Sequence, residues 1–83
     1  MLDPDLLDLT RRLVSSAGRL DRRVATALTL NGIHSAADLR AKPWRSRGPE
    51  AGLHDLIMGT PKCGPKITEA VERMWRELRV AAR

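Results

Sequence analysis

Apolar residues recur every three or four positions along most of this chain, which is the spacing of amphipathic α-helices. Strand signals are missing, because no stretch of five residues alternates apolar and polar positions and β-branched residues are sparse. The pattern therefore predicts an all-α fold, a compact bundle of four or five short helices. Because 83 residues are too few for several cores, we expect a single domain over residues 1–83.

The first two helices are predicted from their end signals. Asp3 followed by Pro4 is typical of a helix start and predicts a first helix over residues 4–17. Asp21 is expected to cap a second helix, which Asn31-Gly32 ends. Three apolar stripes are predicted to face the core, and they consist of Leu6, Leu9, Leu13 and Ala17 with Leu7 and Val14 beside them, then Leu20, Val24, Ala27 and Leu28, and finally Ile67, Val71, Met74 and Leu78.

Three shorter signals complete the helical pattern. Ser35 is expected to cap a short helix through about Ala41. Residues 42–52 contain two Pro and two Gly, which indicates a loop. Residues 53–58 form one or two helical turns, and Pro65 opens the last helix.

The charge balance suggests an acidic partner. The chain has 15 Lys and Arg against 10 Asp and Glu, a net charge of +5 and a pI near 10.7. Its first nine residues carry −3, so the remaining 74 hold all 15 bases, seven acids and a net charge of +8. A small basic domain usually binds nucleic acid. With two Trp, no Tyr and no Phe, a sheet that stacks RNA bases on aromatic rings is disfavoured.

Signals for catalysis, cofactors and membranes are missing. The two histidines, His34 and His54, stand twenty positions apart without Cys or paired carboxylates around them, so neither a metal nor a catalytic site is expected. Cys63 is the one cysteine and is expected to be a buried, inert thiol. No apolar run approaches the length of a membrane span, and the acidic N-terminus lacks the basic region of a signal peptide. We expect no enzyme activity, no cofactor, no membrane partner and a cytoplasmic location.

Residues 56–71 carry the most specific motif of the chain. An apolar helix end runs into a tight turn, followed by Cys63, Gly64, Pro65 and Lys66 at the start of the last helix. This arrangement resembles the helix-hairpin-helix motif, which binds the DNA backbone without reading sequence. Glycine lets the backbone approach a phosphate, helix N-terminal amides attract anions, and Lys66 adds a charge. The same residues also fit an ordinary corner between two helices.

Residues 20–80 resemble the carboxy-terminal domain of the bacterial RNA polymerase alpha subunit, whereas the helix over 4–17 is an addition to it. The resemblance rests on residues 20–39, with Gly-Ile-His-Ser followed by Asp-Leu, and on residues 60–64, Thr-Pro-Lys-Cys-Gly. It implies that Arg23 enters the DNA minor groove and that Gly64 and Lys66 contact phosphate. Thr26 stands where the family has a DNA-contacting asparagine.

The chain also departs from that family pattern. Lys62 replaces an earlier glycine of the hairpin, so its backbone contact is replaced by a charge. The loop over residues 42–52 is about ten residues longer and contains Trp44, which either wedges into DNA or covers the end of the bundle. The predicted DNA-binding residues are Arg22, Arg23, Thr26, Lys62, Gly64 and Lys66, within a basic patch that also includes Arg11, Arg12 and Arg19.

Two functions fit these residues. The first is a nucleoid-associated DNA-binding module acting in transcription, which binds double-stranded DNA largely without sequence specificity, with at most an A·T preference. RNA polymerase or a transcription factor would then be a protein partner. The alternative is a protein–protein interaction domain, either with a transcription-machinery partner or as a homodimer, which kept the fold and lost DNA binding.

Overall fold

The computed structural model describes residues 2–81, and these form five α-helices and one 3-10 turn. No strand occurs among these residues, where Arg47 and Glu50 form one isolated bridge. The predicted all-α fold is therefore confirmed. The elements are α1 (Pro4–Leu13), the 3-10 turn (Ala17–Arg19), α2 (Leu20–Leu30), α3 (Ala36–Ala41), α4 (Leu53–Met58) and α5 (Pro65–Ala81).

Helix α1 is four residues shorter than the sequence predicts. It ends at Leu13, and Val14 adopts an extended backbone (φ −112°, ψ 128°) with its side chain buried in the core. The hydroxyl of Ser15 then accepts a hydrogen bond from the Ala17 N–H at 3.1 Å. Such local side-chain bonds compete with the helical ladder, so the chain leaves the helix here. Gly18, at φ +63°, belongs to the 3-10 turn that leads into α2.

Helix α2 begins one residue before Asp21, so the prediction that Asp21 caps it is wrong. Asp21 lies in the first helical turn, where its carboxylate accepts a hydrogen bond from the Arg22 N–H at 2.9 Å. A carboxylate in the first turn still stabilises the helix, because it interacts favourably with the positive end of the helix dipole. The predicted end is confirmed, because the helix stops before Asn31 and Gly32 adopts φ +73°.

The starts of the later helices follow the prediction. The Ser35 hydroxyl accepts a hydrogen bond from the Asp38 N–H at 3.0 Å, and the Asp38 carboxylate accepts one from the His34 N–H at 3.1 Å and one from the Ser35 N–H at 3.3 Å. These bonds, the one from His34 first, lower the pKa of Asp38 below its ordinary value. Helix α4 covers residues 53–58 as predicted, and Pro65 opens α5.

Helix α5 is the central element and packs against each of the other four α-helices. Its apolar face buries Ile67, Val71 and Met74, as the spacing predicts. Ala17 is the one predicted core residue that is exposed. No α-helix within residues 2–81 has the length and apolar character needed to cross a membrane. Buried residues outside the predicted stripes include Leu2, Thr10, Ile33, Leu39, Trp44, Leu53, Ile57, Thr60, Thr68 and Ala70.

Candidate nucleic-acid interface

The turn between α4 and α5 covers residues 59–64 and is closed by its own backbone. The Thr60 N–H donates to the Ile57 carbonyl at 3.0 Å, and the Cys63 N–H donates to the Thr60 carbonyl at 3.1 Å. Lys62 has φ +65°, which is the left-handed region that favours glycine. In the family that this chain resembles, a glycine stands at this position. Lys62 adopts the left-handed backbone conformation that a glycine there would favour.

Gly64 joins this turn to the start of α5. Its carbonyl accepts hydrogen bonds from the Thr68 N–H and the Thr68 hydroxyl, both at 3.1 Å. A Cβ added at Gly64 would meet no atom within 4 Å, so the packing of the chain does not require glycine here. Pro65 has no N–H, and the amides of Lys66 and Ile67 have no partner within the helix. The backbone beside Gly64 is therefore open to a close acceptor from outside.

Two long-range hydrogen bonds attach this turn to α2. The Arg23 Nη2 donates to the Lys62 carbonyl at 3.1 Å, and the Asn31 Nδ2 donates to the Thr60 hydroxyl at 2.9 Å. Asn31 also donates to the Ala27 carbonyl at 2.8 Å, which fixes its amide across the end of α2. Helix α2 is thus hydrogen-bonded to the turn near its start and at its end, so the two elements form one continuous surface.

A groove of about 470 Å³ lies between α2 and the turn. Four of its lining residues are cationic, and none is acidic. Within residues 2–81 none of these four cations forms an ion pair. The nine lining residues are Arg19, Arg22, Arg23, Thr26, Leu30, Pro61, Lys62, Cys63 and Ile67.

Four of the six predicted DNA-binding residues line this groove, namely Arg22, Arg23, Thr26 and Lys62. The Thr26 hydroxyl donates to the Arg22 carbonyl at 3.0 Å and so is directed back along the helix. Gly64 is half-buried at the end of the turn that forms one wall.

The remaining cations of the predicted patch lie elsewhere. Lys66 is exposed and lines a smaller adjacent depression together with Glu69 and Arg73. Arg12 forms an exposed ion pair with Asp8 at 3.4 Å, and neither it nor Arg11 lines the groove. Of the predicted patch, Arg19 is the cation that joins Arg22, Arg23 and Lys62 there.

The structure shows how far Trp44 and Cys63 are buried. Trp44 is only 8% exposed and belongs to the core, so it covers the end of the bundle and is not free to wedge between bases. Cys63 packs against the core as expected, but it is only half-buried and also lines the groove. No cluster of His, Cys, Asp and Glu in the described part of the chain has the geometry of a metal site.

Sequence reasoning missed the role of Asn31 and Thr60. The sequence pattern assigned Asn31 only to the end of α2, and Thr60 only to the resemblance. The bond between them spans 29 residues, and no local pattern signals it.

Comparison of the chain with protein-family models, curated proteins and solved structures finds no match. The charge and shape of the groove are thus the basis for assigning a function.

Proposed function

We propose that this chain is a DNA-binding module acting in transcription, which holds backbone phosphates with the α4–α5 turn and places an arginine in a minor groove. One observation supports the proposal above all others: Arg19, Arg22, Arg23 and Lys62 surround a single groove that has no carboxylate in its lining. Cations gathered in this way create a positive potential that attracts phosphates and releases their counterions. Such a module would be cytoplasmic and nucleoid-associated, beside RNA polymerase or a transcription factor.

The turn supports the phosphate contact through its backbone. In this proposal it is the hairpin of a helix-hairpin-helix motif, with Lys62 replacing a glycine in the same left-handed conformation. Gly64 leaves space for a phosphate oxygen beside the first amides of α5, and Lys66 follows on the first helical turn. Helix N-terminal amides and a nearby ammonium group together favour an anion at this point.

Arg23 supports the minor-groove contact. Its side chain is exposed, and the hydrogen bond that it donates to the Lys62 carbonyl leaves most of its five N–H donors for DNA. That bond holds the guanidinium beside the turn, and an exposed bond of this kind contributes only about 0.5–1.5 kcal/mol, so DNA can replace it. Because A·T tracts have a narrow, strongly negative minor groove, we expect sequence preference to be limited to A·T content.

Salt-dependent binding tests the proposal. We expect duplex DNA to bind with a log–log salt slope of about −4, the value for four to five phosphate contacts. Lys66→Gln should weaken binding and reduce the slope by about 1, and Arg23→Gln should weaken binding and reduce the A·T preference. The matched control is Arg40→Gln, because Arg40 is exposed on α3 and lines neither the groove nor the depression around Lys66. Wild-type affinity of both the Arg23→Gln and the Lys66→Gln variant, measured by fluorescence anisotropy, would contradict this assignment.

A second observation favours the alternative, a protein-interaction domain. An apolar groove of about 340 Å³ between α1 and α2 is lined by Leu2, Leu7 and Ala25, and it shares Thr26 and Leu30 with the cationic groove. Leu30 is 67% exposed where the two grooves meet, so it extends the apolar surface of this groove towards the four cations. The apolar surface next to four cations is complementary to a partner segment that carries apolar and acidic residues.

The two functions are distinguished by an NMR titration. Under the first, nonspecific duplex at low salt shifts the amide signals of Arg23, Gly64 and Lys66. Under the second, these signals stay in place, while Leu30→Ser removes binding of the protein partner.

A further inference from the structure

The long loop between α3 and α4 is held in one conformation although it contains no helix or strand. Arg47 and Glu50 exchange two backbone hydrogen bonds, each 2.9 Å long. The Ser46 hydroxyl donates to the Asp55 carboxylate at 2.6 Å, which ties the loop to α4. This bond is the first cause of the lowered pKa of Asp55. Loops held in this way are commonly functional.

Gly52 shows how tightly this loop is packed. Its N–H donates to the Ser46 hydroxyl at 3.0 Å. A Cβ at position 52 would lie 2.4 Å from the carbonyl carbon of Arg45, so the two ends of the loop pass in direct contact. Only glycine permits this approach. The backbone of the loop is therefore preorganised, and it presents the exposed side chains of Arg45 and Arg47 from an ordered segment.

Of the two tryptophans of the chain, Trp44 belongs to this loop and Trp75 packs against it from α5. Trp44 and Trp75 have ring centroids 6.0 Å apart at an interplanar angle of 38°. The Trp75 Nε1 donates to the Lys42 carbonyl at 2.8 Å, which fixes the indole, and the Arg79 guanidinium lies 4.6 Å from the Trp75 ring centroid. The pair provides a rigid apolar wall with a cation on it.

A cleft of about 380 Å³ opens beside this wall, and it shares no lining residue with the cationic groove of α2. Its charged residues are three arginines and one glutamate, so its net charge at neutral pH is +2. The cleft is lined by Ala41, Pro43, Trp44, Arg45, Arg47, Glu50, Trp75 and Arg79.

We propose that this cleft binds a phosphate group, with Arg45 and Arg47 as the residues that hold it. The planar guanidinium presents donors in a fork that matches phosphate oxygens, and two arginines on one ordered loop can bind the same group. Because the loop is already fixed, binding requires little additional ordering. Arg79 adds positive charge from α5 while its guanidinium remains over the Trp75 ring.

Two carboxylates, those of Glu50 and Asp55, lie near the arginines of this site. Glu50 lines the cleft and opposes an anion, so its removal should strengthen binding. Asp55 is close enough to Arg45 for the guanidinium to contribute to its lowered pKa, but the two form no ion pair in the described residues. Neither Arg45 nor Arg47 forms an ion pair within the described residues, so both remain available to an anion. The phosphate belongs either to a small free molecule or to the backbone of nucleic acid.

Intrinsic fluorescence tests this site directly, because the chain has two Trp and both line the cleft. Inorganic pyrophosphate and a short DNA duplex are the two probes, each titrated at low ionic strength. A saturable change with pyrophosphate identifies a small phosphate ligand. A change with the duplex alone identifies a backbone phosphate at the cleft if it persists in Arg23→Gln, which alters the groove of α2, and is weakened in Arg47→Gln. In either case Arg47→Gln should weaken binding by at least about tenfold, whereas Glu50→Gln should tighten it.

Arg40→Gln serves as the matched control, because this exposed arginine lies outside the cleft. Far-UV circular dichroism and thermal melts establish that each variant is folded, as expected for exposed side chains. The proposal is overturned if neither probe gives a saturable change. It is also overturned if Arg47→Gln binds both probes as tightly as the wild-type protein does.

Discussion

Lys62 gives a direct test of the turn that carries the proposed interface. Its left-handed backbone, φ +65°, costs a non-glycine residue roughly 1–2 kcal/mol. Lys62→Gly removes this cost and Lys62→Ala keeps it, but glycine also adds roughly 0.5–1 kcal/mol of conformational entropy to the unfolded chain. At the midpoints of these two ranges we expect Lys62→Gly to be more stable than Lys62→Ala by about 0.8 kcal/mol, or about 3–6 °C in Tm for a domain of this size.

The same pair of variants separates stability from binding. Both lose one positive charge, and both keep the backbone carbonyl that accepts the hydrogen bond from Arg23. DNA affinity should therefore fall by the same factor in the two variants, while their free energies of unfolding differ. Thermal and urea unfolding followed by circular dichroism measure the first quantity, and fluorescence anisotropy with duplex DNA measures the second. A Lys62→Ala protein as stable as Lys62→Gly would refute the left-handed conformation at this position.

Three further predictions follow from the same structure. Gly52→Ala should destabilise the fold by several kcal/mol because its Cβ would overlap backbone at 2.4 Å, whereas Gly64→Ala should leave the Tm unchanged and weaken DNA binding. The lowered pKa of Asp38 stabilises the fold above the ordinary aspartate pKa of about 4. This stabilisation is lost as the pH falls through the lowered value, so the stability difference between wild type and Asp38→Asn should disappear in acid unfolding experiments. Leu28→Ala removes a fully buried side chain and should cost about 2–5 kcal/mol in urea unfolding.

The sequence predicted a helix boundary correctly where the residues that determine it lie within a few positions of each other. Ser35 and Asp38 stand three residues apart and satisfy each other's backbone groups, so they specify the start of α3 without help from the rest of the chain. Pro65 specifies the start of α5 in the same way, because its ring fits the first helical position and nowhere inside a helix.

The local signals failed where two of them competed. The apolar spacing continues past Leu13, but Val14 is buried from an extended backbone and Ser15 binds the amide two residues ahead. The gain from burying Val14 depends on where the core lies, and a helical repeat in the sequence contains no such information. Asp21 is likewise a residue type that commonly caps helices. In the structure the cap position is instead taken by Arg19, which has a left-handed backbone, so α2 begins at Leu20.

The same distinction between local and long-range signals applies to the candidate site. The sequence by itself determined the helical class, the end of α2 and the residues that carry charge beside the α4–α5 turn. Only the tertiary structure decided that Arg23 meets Lys62 across 39 residues, that Lys62 keeps a glycine-like backbone and that Trp44 is buried. The physical reason is the distance along the chain over which each kind of interaction acts. Propensity and capping act over about four residues, whereas a groove forms only when packing around α5 brings distant segments together.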